Sequence, residues 1–308
     1  MSKVQLVEEL HKPARKNFPR RRVIIKGLND LFQADLVEMI PYARTNKGFR
    51  YILVIINAFS KFVWAFPIKR KNGKMVADTM KKLLLQLVTP PTNLQTDMGK
   101  EFYNKDFSEV MKKFKVNHFS SFSNLKSSIV ERVNRTLKGM MWKEFSLQGS
   151  YKWLGLLPRI VDKYNATIHK TTGYKPIEVN EKNASHILKK SFSRMKVVDP
   201  KPPKYKVGDF VRINKYRTVF TKGYTPNWTY EVFTVVKVKV SNPTTYILED
   251  SRKQEIKGRF YEQELQAAKF PDIHLVERVI RRKGQKSFVK WLGFDSSHNS
   301  WISNKDLV

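Results

Sequence analysis

The sequence predicts an α/β layered domain followed by two small β modules. Short apolar runs rich in β-branched residues alternate with amphipathic stretches in the first half of the chain, which is typical of strands and helices that share one sheet. A segment rich in lysine, serine and proline follows, and beyond it the helical periodicity stops. The remaining apolar runs are short and are divided by turn residues, which indicates small antiparallel β structures.

The α/β domain is predicted at residues 29–180. Its strands are expected at residues 31–40, 50–57, 62–68, 92–96 and 116–119. Its helices are expected at residues 75–88 and 107–114 and around Glu131, where apolar residues recur at helical spacing. This order of strands and helices is that of an α/β layer architecture.

Four further segments complete the predicted organisation. Residues 1–28 are polar and basic and are expected to form an N-terminal arm, either a solvated tail or a segment that contacts DNA or directs nuclear import. Residues 181–204 are expected to be a linker of limited flexibility. Residues 205–268 are predicted to form a small β-barrel, and residues 270–308 a short β-meander.

The charge of the chain indicates a polyanionic partner. Lysine and arginine number 59 against 27 aspartate and glutamate residues, so the formal net charge of the 308-residue chain is +32. A protein this basic repels itself unless it meets a polyanion, and nucleic acid is the leading candidate. An anionic membrane is the alternative, but the sequence has no basic amphipathic helix and no lipidation motif. We therefore expect a nucleic-acid partner, no membrane partner, and a nuclear location.

The absence of cysteine excludes two kinds of stabilisation. With no cysteine in the sequence, disulfides and cysteine-based zinc sites cannot form. The first ten residues are too charged for a signal peptide, and no apolar stretch approaches the roughly 20 residues of a membrane helix. These features fit an intracellular protein.

Three acidic residues occupy settings that suit one another. Asp35 lies inside an apolar run, Asp97 directly follows the predicted strand 92–96, and Glu131 lies in a stretch with helical spacing. A carboxylate in an apolar setting is costly unless it is compensated, and a divalent cation is the usual compensation. Two strand carboxylates and one helix carboxylate could hold two metal ions for chemistry on a phosphodiester.

The predicted helix around Glu131 also carries candidate DNA contacts. Positions three, four and seven residues after Glu131 share its face, so Asn134, Arg135 and Lys138 are expected to point the same way. A stripe with one carboxylate, one amide and two cations suits a phosphate backbone beside a metal site. Lys126, in the polar segment before the helix, is a further candidate contact. The alternative is an ordinary solvated helix face with one capping acid.

Two runs carry a resemblance to a known family. The run Thr96–Phe102, followed by the run Ile129–Lys138, resembles the integrase catalytic core of retroviruses and retroelements, and the nearest likeness is to integrases of Maverick/Polinton-type DNA transposons. Supporting runs lie at residues 51–62 and 164–176, and the resemblance covers roughly residues 10–266.

The resemblance implies a fold, a chemistry and a ligand set. The implied fold is an RNase H-like core with a mixed five-stranded sheet and helices. The implied chemistry is 3′-end processing and strand transfer by in-line transesterification with two Mg²⁺ or Mn²⁺ ions. The implied catalytic residues and metal ligands are Asp35, Asp97 and Glu131.

The sequence departs from the family pattern at three points. Glu131 follows Asp97 by 34 positions, slightly fewer than in the retroviral pattern. Asn57 stands where many relatives carry an aspartate that is not a metal ligand. The histidine–cysteine zinc domain common at integrase N-termini is absent, because the chain has no cysteine.

The predicted barrel has the composition of a DNA-binding surface. Arg212, Lys215 and Arg217 are candidate phosphate contacts, and aromatic residues that could stack on bases are interleaved with its cations at Tyr216, Phe220, Tyr224 and Trp228. The segment resembles the SH3-like DNA-binding domain that follows integrase cores. The alternative is a basic, solvated barrel that mediates protein contacts only.

The last segment resembles a chromodomain. Such domains hold methylated lysine in an aromatic cage by cation–π attraction. Trp291 and Phe294 match two walls of that cage by motif position, and His274 stands where the first aromatic residue is expected. Because a neutral imidazole is a poorer wall, binding to histone tails is open, and a degenerate chromodomain that binds DNA or other proteins is the alternative.

Three functions are compatible with the sequence. The first is an integrase that binds the ends of element DNA and joins them to double-stranded target DNA, acting as a homodimer or tetramer because two ends need two active sites. The second is a domesticated, catalytically silent relative that keeps affinity for DNA and chromatin. The third is a metal-dependent ribonuclease, which explains the acids but not the basic barrel or the chromodomain-like segment.

Overall fold

A computed structural model describes residues 2–15, 17–20, 23–120, 128–193, 202–215 and 224–307. Contacts divide the chain into two units, residues 23–197 and residues 1–22 together with 198–308. The first helix, α1 (Ser2–His11), belongs to the second unit. Within the described ranges, no helix is both long enough and apolar enough to cross a membrane.

The unit of residues 23–197 contains the mixed five-stranded sheet that the resemblance implies. Its strands are β1 (Leu31–Glu38), β2 (Tyr51–Asn57), β3 (Val63–Ile68), β4 (Asn93–Thr96) and β5 (Asn117–Ser120). They lie in the order β3-β2-β1-β4-β5; β2 is antiparallel to both β1 and β3, and β4 is parallel to both β1 and β5. Strand β1 therefore lies at the centre, and the end of β4 lies beside it.

Helices cover both faces of this sheet. They are α2 (Gly73–Gln86), α3 (Lys105–Lys113), α4 (Ser128–Gln148) and α5 (Leu156–Asn165). Side chains alternate between the two faces of a strand, so Phe32 and Ala34 of β1 pack with α2 and α3, whereas Val37 packs with α4 and α5. Asp35 shares the parity of Val37 and therefore faces the α4 layer.

The predicted linker at residues 181–204 is wrong for its first part. Helix α6 (Glu181–Ser193) occupies that stretch, and Ala184 and Ile187 are buried against Phe59 of the sheet unit. Its apolar stripe is short, which explains why the segment resembles a polar linker. The α/β unit consequently extends past residue 180, and it also begins before residue 29, because Leu28 packs in the same cluster.

The second unit contains two antiparallel sheets. The five-stranded sheet has the order β10-β6-β7-β8-β9, and its strands are β6 (Phe210–Ile213), β7 (Phe233–Lys239), β8 (Thr245–Glu249), β9 (Phe260–Tyr261) and β10 (Leu265–Ala267). The three-stranded sheet is a meander of β11 (Val276–Lys283), β12 (Lys286–Trp291) and β13 (Ser300–Ser303). Strands thus form where the short apolar runs predicted them.

The N-terminal segment is not a solvated tail over the length of α1. Leu6 and Leu10 are buried with Trp228 of the second unit. The indole Nε1 of Trp228 donates to the carbonyl of Lys12 at 2.9 Å. Trp228 is 4% exposed, so the prediction that it is a stacking platform for bases is wrong.

Arg212 is a structural residue of this unit. The side chain is 1% exposed, and its Nε donates to Glu9 Oε1 of α1 at 2.9 Å. Its other nitrogens donate to the carbonyls of Thr229, Tyr230 and Phe270. The prediction that Arg212 contacts DNA phosphates is therefore wrong, because its guanidinium is enclosed and its donors are used within the protein.

Removing the carboxylate that faces Arg212 should destabilise the second unit. Glu9→Ala leaves a guanidinium buried without a counter-ion, and we expect the free energy of unfolding to fall by about 3–5 kcal/mol. Urea unfolding followed by tryptophan fluorescence measures this, since Trp228 packs against α1. Glu8→Ala is the matched control: Glu8 is exposed in the same helix turn, so its loss should change stability by less than about 0.5 kcal/mol. Equal stability of the two variants would contradict the structural role of this ion pair.

Candidate active site

The candidate site is built around Asp35 on the central strand. The backbone N–H of Leu36 donates to Asp35 Oδ1 at 2.9 Å, and the side-chain Nδ2 of Asn134 donates to Asp35 Oδ2 at 2.7 Å. Burial raises the pKa of Asp35 to about 6, the Leu36 hydrogen bond opposes that rise, and the charges of Asp97 and Glu131 add to it. Asp97 and Glu131 therefore both lie within electrostatic range of Asp35.

Asp97 is carried to Asp35 by the register of two parallel strands. Gln33 of β1 pairs with Gln95 of β4, so Asp97, directly after β4, comes level with Asp35. The carbonyl oxygen of Asp97 accepts hydrogen bonds from Thr96 Oγ1 at 2.7 Å and from Ser120 Oγ at 2.9 Å. The backbone at this acid is thus held from both neighbouring strand ends.

Glu131 lies in the first turn of α4, and its side chain is exposed. The helix is attached to β1 by polar contacts: the N–H of Val130 donates to Gln33 Oε1 at 3.0 Å, and Asn134 bonds to Asp35. These contacts hold the start of the helix over the strand that carries Asp35.

Arg135 and Lys138 of the predicted polar stripe on α4 are both exposed. Their contact with DNA stays a prediction. Asn134 is 8% exposed and faces Asp35. The prediction that Asn134 contacts DNA is therefore wrong for this conformation, because its amide is used inside the protein to orient a candidate ligand.

Asp35, Asp97 and Glu131 do not converge into a closed set of metal ligands. In the ranges that the structure describes, no group of three acidic or histidine side chains converges closely enough to hold one. The donor set nonetheless suits Mg²⁺ or Mn²⁺, since both prefer carboxylate oxygens. Bringing a divalent cation among Asp35, Asp97 and Glu131 would offset the mutual repulsion of these carboxylates.

Lys71 is a charged neighbour of the site that the sequence analysis missed. Its ammonium lies 3.1 Å from Glu101 Oε1 and 3.9 Å from Glu38 Oε1. The hydrogen bond with Glu101 raises the pKa of Lys71, and the charges of Glu38 and Asp97 add to that rise. The basic run between β3 and α2 was visible in the sequence, but its position beside the acids follows only from the strand order.

Of the remaining cationic candidates for DNA contact, only Lys215 lies among the described residues. Lys126 and Arg217 lie outside the described residues, as do Tyr216 and Phe220. Lys215 is half-buried, with its ammonium 4.1 Å from the ring centroid of Tyr230.

The three residues of the predicted aromatic cage lie side by side. The ring centroid of His274 is 5.7 Å from that of Trp291 and 5.5 Å from that of Phe294, with the rings edge-on. Burial lowers the pKa of His274, and the charge of Arg212 lowers it further. His274 is therefore neutral at pH 7, which makes it a weaker wall for a cation.

The raised pKa of Asp35 predicts a pH dependence of stability in the metal-free protein. The folded-state pKa is about 6 against an ordinary 3.8, so the folded state keeps a proton that the unfolded state has already released. The stability from this proton is complete below about pH 4 and is lost as pH rises through about 6, a loss of about 1–3 kcal/mol. In EDTA, Asp35→Asn should remove this fall, whereas Asp106→Asn, at an exposed position of α3, should keep it. Identical pH profiles of unfolding for the wild type and Asp35→Asn would contradict the burial of this carboxyl.

Comparison with known proteins places this geometry in a family. Residues 27–121 match the family described as Integrase core domain. A putative uncharacterized transposon-derived protein of Caenorhabditis elegans is 34% identical over 207 residues, which span 67% of this chain and 68% of that protein. The retrovirus-related Pol polyprotein from transposon 412 of Drosophila melanogaster is 26% identical over 179 residues, which are 58% of this chain but only 14% of the polyprotein.

A solved structure agrees with the fold. A chain of the simian T-cell lymphotropic virus intasome aligns with 86% of this chain and 90% of its own length, with a TM-score of 0.57 and 15% sequence identity. At that identity the likeness concerns the fold alone. The relative from C. elegans and the matched core domain lead to one conclusion: the chain belongs to the family of transposon and retroviral integrases.

Proposed function

We propose that this chain is the DNA integrase of a mobile element, of the Maverick/Polinton-like kind, and that it joins the ends of element DNA to target DNA. The observation that carries the proposal is the arrangement around β1: Asp97 comes level with Asp35, and the helix bearing Glu131 is attached to the same strand. Carboxylates from two adjacent strands and one helix are the minimal protein contribution to metal-assisted phosphoryl transfer.

Asp35, Asp97 and Glu131 would hold two Mg²⁺ or Mn²⁺ ions. When bound, such ions supply charge neutralisation at the phosphate and activate the attacking and leaving oxygens. The chain's own groups prepare the ligands: Asn134 orients the Asp35 carboxylate, and Ser120 holds the backbone of Asp97.

The reaction has two stages on the same acids. In 3′-end processing, a water oxygen attacks a phosphodiester near the element end, and the strand is left with a free 3′ hydroxyl. In strand transfer, that hydroxyl oxygen attacks a phosphorus atom of the target strand. A new P–O bond forms, the target's 3′ oxygen leaves and takes up a proton, and the number of phosphodiester bonds is unchanged. Because the number of phosphodiester bonds is unchanged, the joining step needs no external energy source. The protein accelerates it by positioning the reacting groups and by stabilising the charge of the transition state.

Exposed cations supply the DNA contacts in this proposal. Arg135 and Lys138 follow Glu131 along α4 and are exposed, so they can reach phosphates next to the scissile one. The net charge of +32 supports binding of a long polyanion. Lys126, Lys215 and Arg217 remain proposed contacts.

The C-terminal unit would extend the contact with DNA and chromatin. We assign the five-stranded sheet to an SH3-like DNA-binding barrel and the meander to a chromodomain-like module. His274, Trp291 and Phe294 lie side by side and are the proposed walls of a methyl-lysine cage, with histone tails as the proposed partner, although the neutral imidazole weakens the site. Joining two element ends needs two active sites, so a homodimer or tetramer on DNA is proposed, in the nucleus.

The deciding experiment is strand transfer of a labelled duplex end into plasmid DNA in Mg²⁺ or Mn²⁺. Asp97→Asn removes one proposed ligand, and we expect its rate to fall at least about a hundredfold, because a lost ligand removes several kcal/mol of transition-state stabilisation. Asp106→Asn makes the same chemical change at an exposed position of α3 and should keep the wild-type rate.

The outcomes separate the competing functions. Equal product from the wild type and Asp97→Asn would overturn the assignment of the acids. No product from any variant, with true element ends supplied, would favour the catalytically silent DNA-binding relative. Cleavage of RNA without DNA joining would favour the ribonuclease.

A further inference from the structure

Lys71 forms ion pairs with acidic residues that follow Asp35 and Asp97 in the chain. It lies between β3 and α2, and its ammonium is 3.1 Å from Glu101 Oε1 and 3.9 Å from Glu38 Oε1. Glu38 ends β1, three positions after Asp35, and Glu101 follows Asp97 by four positions. One cation therefore sits between the acidic ends of both ligand-bearing segments.

Glu101 is the fixed partner in this arrangement. Its side chain is 6% exposed, whereas that of Lys71 is 38% exposed. A Cβ added at Gly99 would stand 2.5 Å from the carboxylate carbon of Glu101, so the carboxylate packs directly against the turn that follows Asp97. The ammonium of Lys71 contacts this buried carboxylate from the solvent side, and part of the Lys71 side chain stays exposed to solvent.

The charge of Lys71 also acts on the candidate ligands. Asp97 contributes to the raised pKa of Lys71, although the hydrogen bond with Glu101 contributes most. Lys71 in turn opposes the rise in the pKa of Asp35 that burial causes. These mutual effects agree with the ion-pair distances and place the ammonium within range of both acids.

We propose that Lys71 is a positioning residue of this active site whose charge weakens the binding of metal ions and strengthens the binding of DNA. Its positive charge opposes the entry of a divalent cation among Asp35, Asp97 and Glu131, and its ammonium contacts the phosphodiester backbone of DNA brought to these acids. The inference rests on the proposed function, because it assumes that metal ions and DNA meet at this site.

The two effects have the opposite sign for one reason. A resident cation repels an incoming cation and attracts a phosphate. Removing one unit charge within electrostatic range of a partly solvated metal site should tighten metal binding by about three- to tenfold. Removing one phosphate contact should lower the slope of log affinity against log salt concentration by about one.

Lys71→Ala tests both effects in the 308-residue chain. Calorimetric titration with MnCl₂ alone should show affinity about three- to tenfold higher than in the wild type. Binding of a fluorescent DNA duplex in EDTA, measured over a range of salt concentrations, should show a slope reduced by about one. Lys74→Ala removes the same charge from an exposed position three residues away and should change neither quantity as much.

A purely structural role for Lys71 predicts a different pattern. If Lys71 served only as the counter-ion of Glu101, its loss would loosen the turn after Asp97 and weaken Mn²⁺ binding. The double variant Lys71→Ala/Glu101→Gln removes the charge of the buried Glu101 carboxylate together with that of its partner. Thermal unfolding checks that this variant is folded. We expect this variant to retain the reduced salt slope. Mn²⁺ affinity in Lys71→Ala equal to or below that of the wild type, or a salt slope in the double variant equal to that of Glu101→Gln alone, would overturn the proposal.

These measurements are independent of strand transfer. A wild-type protein that binds Mn²⁺ and DNA but joins no ends would contradict the proposed function and leave the Lys71 test readable. A wild-type protein that joins ends, with Lys71→Ala unchanged in both binding measurements, would contradict the Lys71 proposal alone.

Discussion

The attachment of α4 to one face of β1 is the constraint on which the site depends. Odd-numbered residues of β1 face α4, and two of them, Gln33 and Asp35, are polar in an otherwise apolar interface. Each must find a partner, because an unsatisfied buried polar group costs about 1–3 kcal/mol. Gln33 accepts from the N–H of Val130 and donates to Gln95 on β4, while Asp35 accepts from Asn134. The same bonds that satisfy these groups fix the helix of Glu131 and the strand of Asp97 around Asp35.

The surroundings of Asp35 could be predicted from the sequence where the apolar pattern of a single segment determines the structure. Short apolar runs rich in β-branched residues identify β1 and β2, and the parallel pairing of β1 with β4 then brings Asp97 level with Asp35. The rotation of α4 about its own axis, which decides the residues on its buried face, could not be predicted in the same way. Helical spacing groups Asn134 with Arg135, but it cannot say where the buried face ends. That boundary depends on Asp35, which lies 99 positions earlier in the chain and accepts a hydrogen bond from the Asn134 amide.

The same difficulty explains the errors over charged residues. Arg212 has the sequence context of a DNA contact, but its partner Glu9 lies 203 positions away on a helix that composition described as a tail. Lys71 is one of three consecutive basic residues, and nothing local distinguishes it from Lys69, whose ammonium instead lies 5.2 Å from the ring of Phe49. Pairing between distant segments decides which cations are enclosed, and a single sequence carries no direct record of such pairs.

The formal charge of +32 therefore overstates what the protein can offer to DNA at a given place, and location matters more than number. Arg212 is enclosed, and Lys61 is 8% exposed, with its ammonium bonded to the carbonyl of Ala58. On α4, by contrast, Glu131 and Lys138 are both exposed and lie seven positions apart, or about 10 Å along the helix axis. That distance corresponds to about three base pairs of a duplex. In the proposed complex with DNA, this helix would place a carboxylate at the reacting phosphate and a cation a few nucleotides along the same backbone, so one rigid element would set the distance between the reacting groups and a phosphate contact.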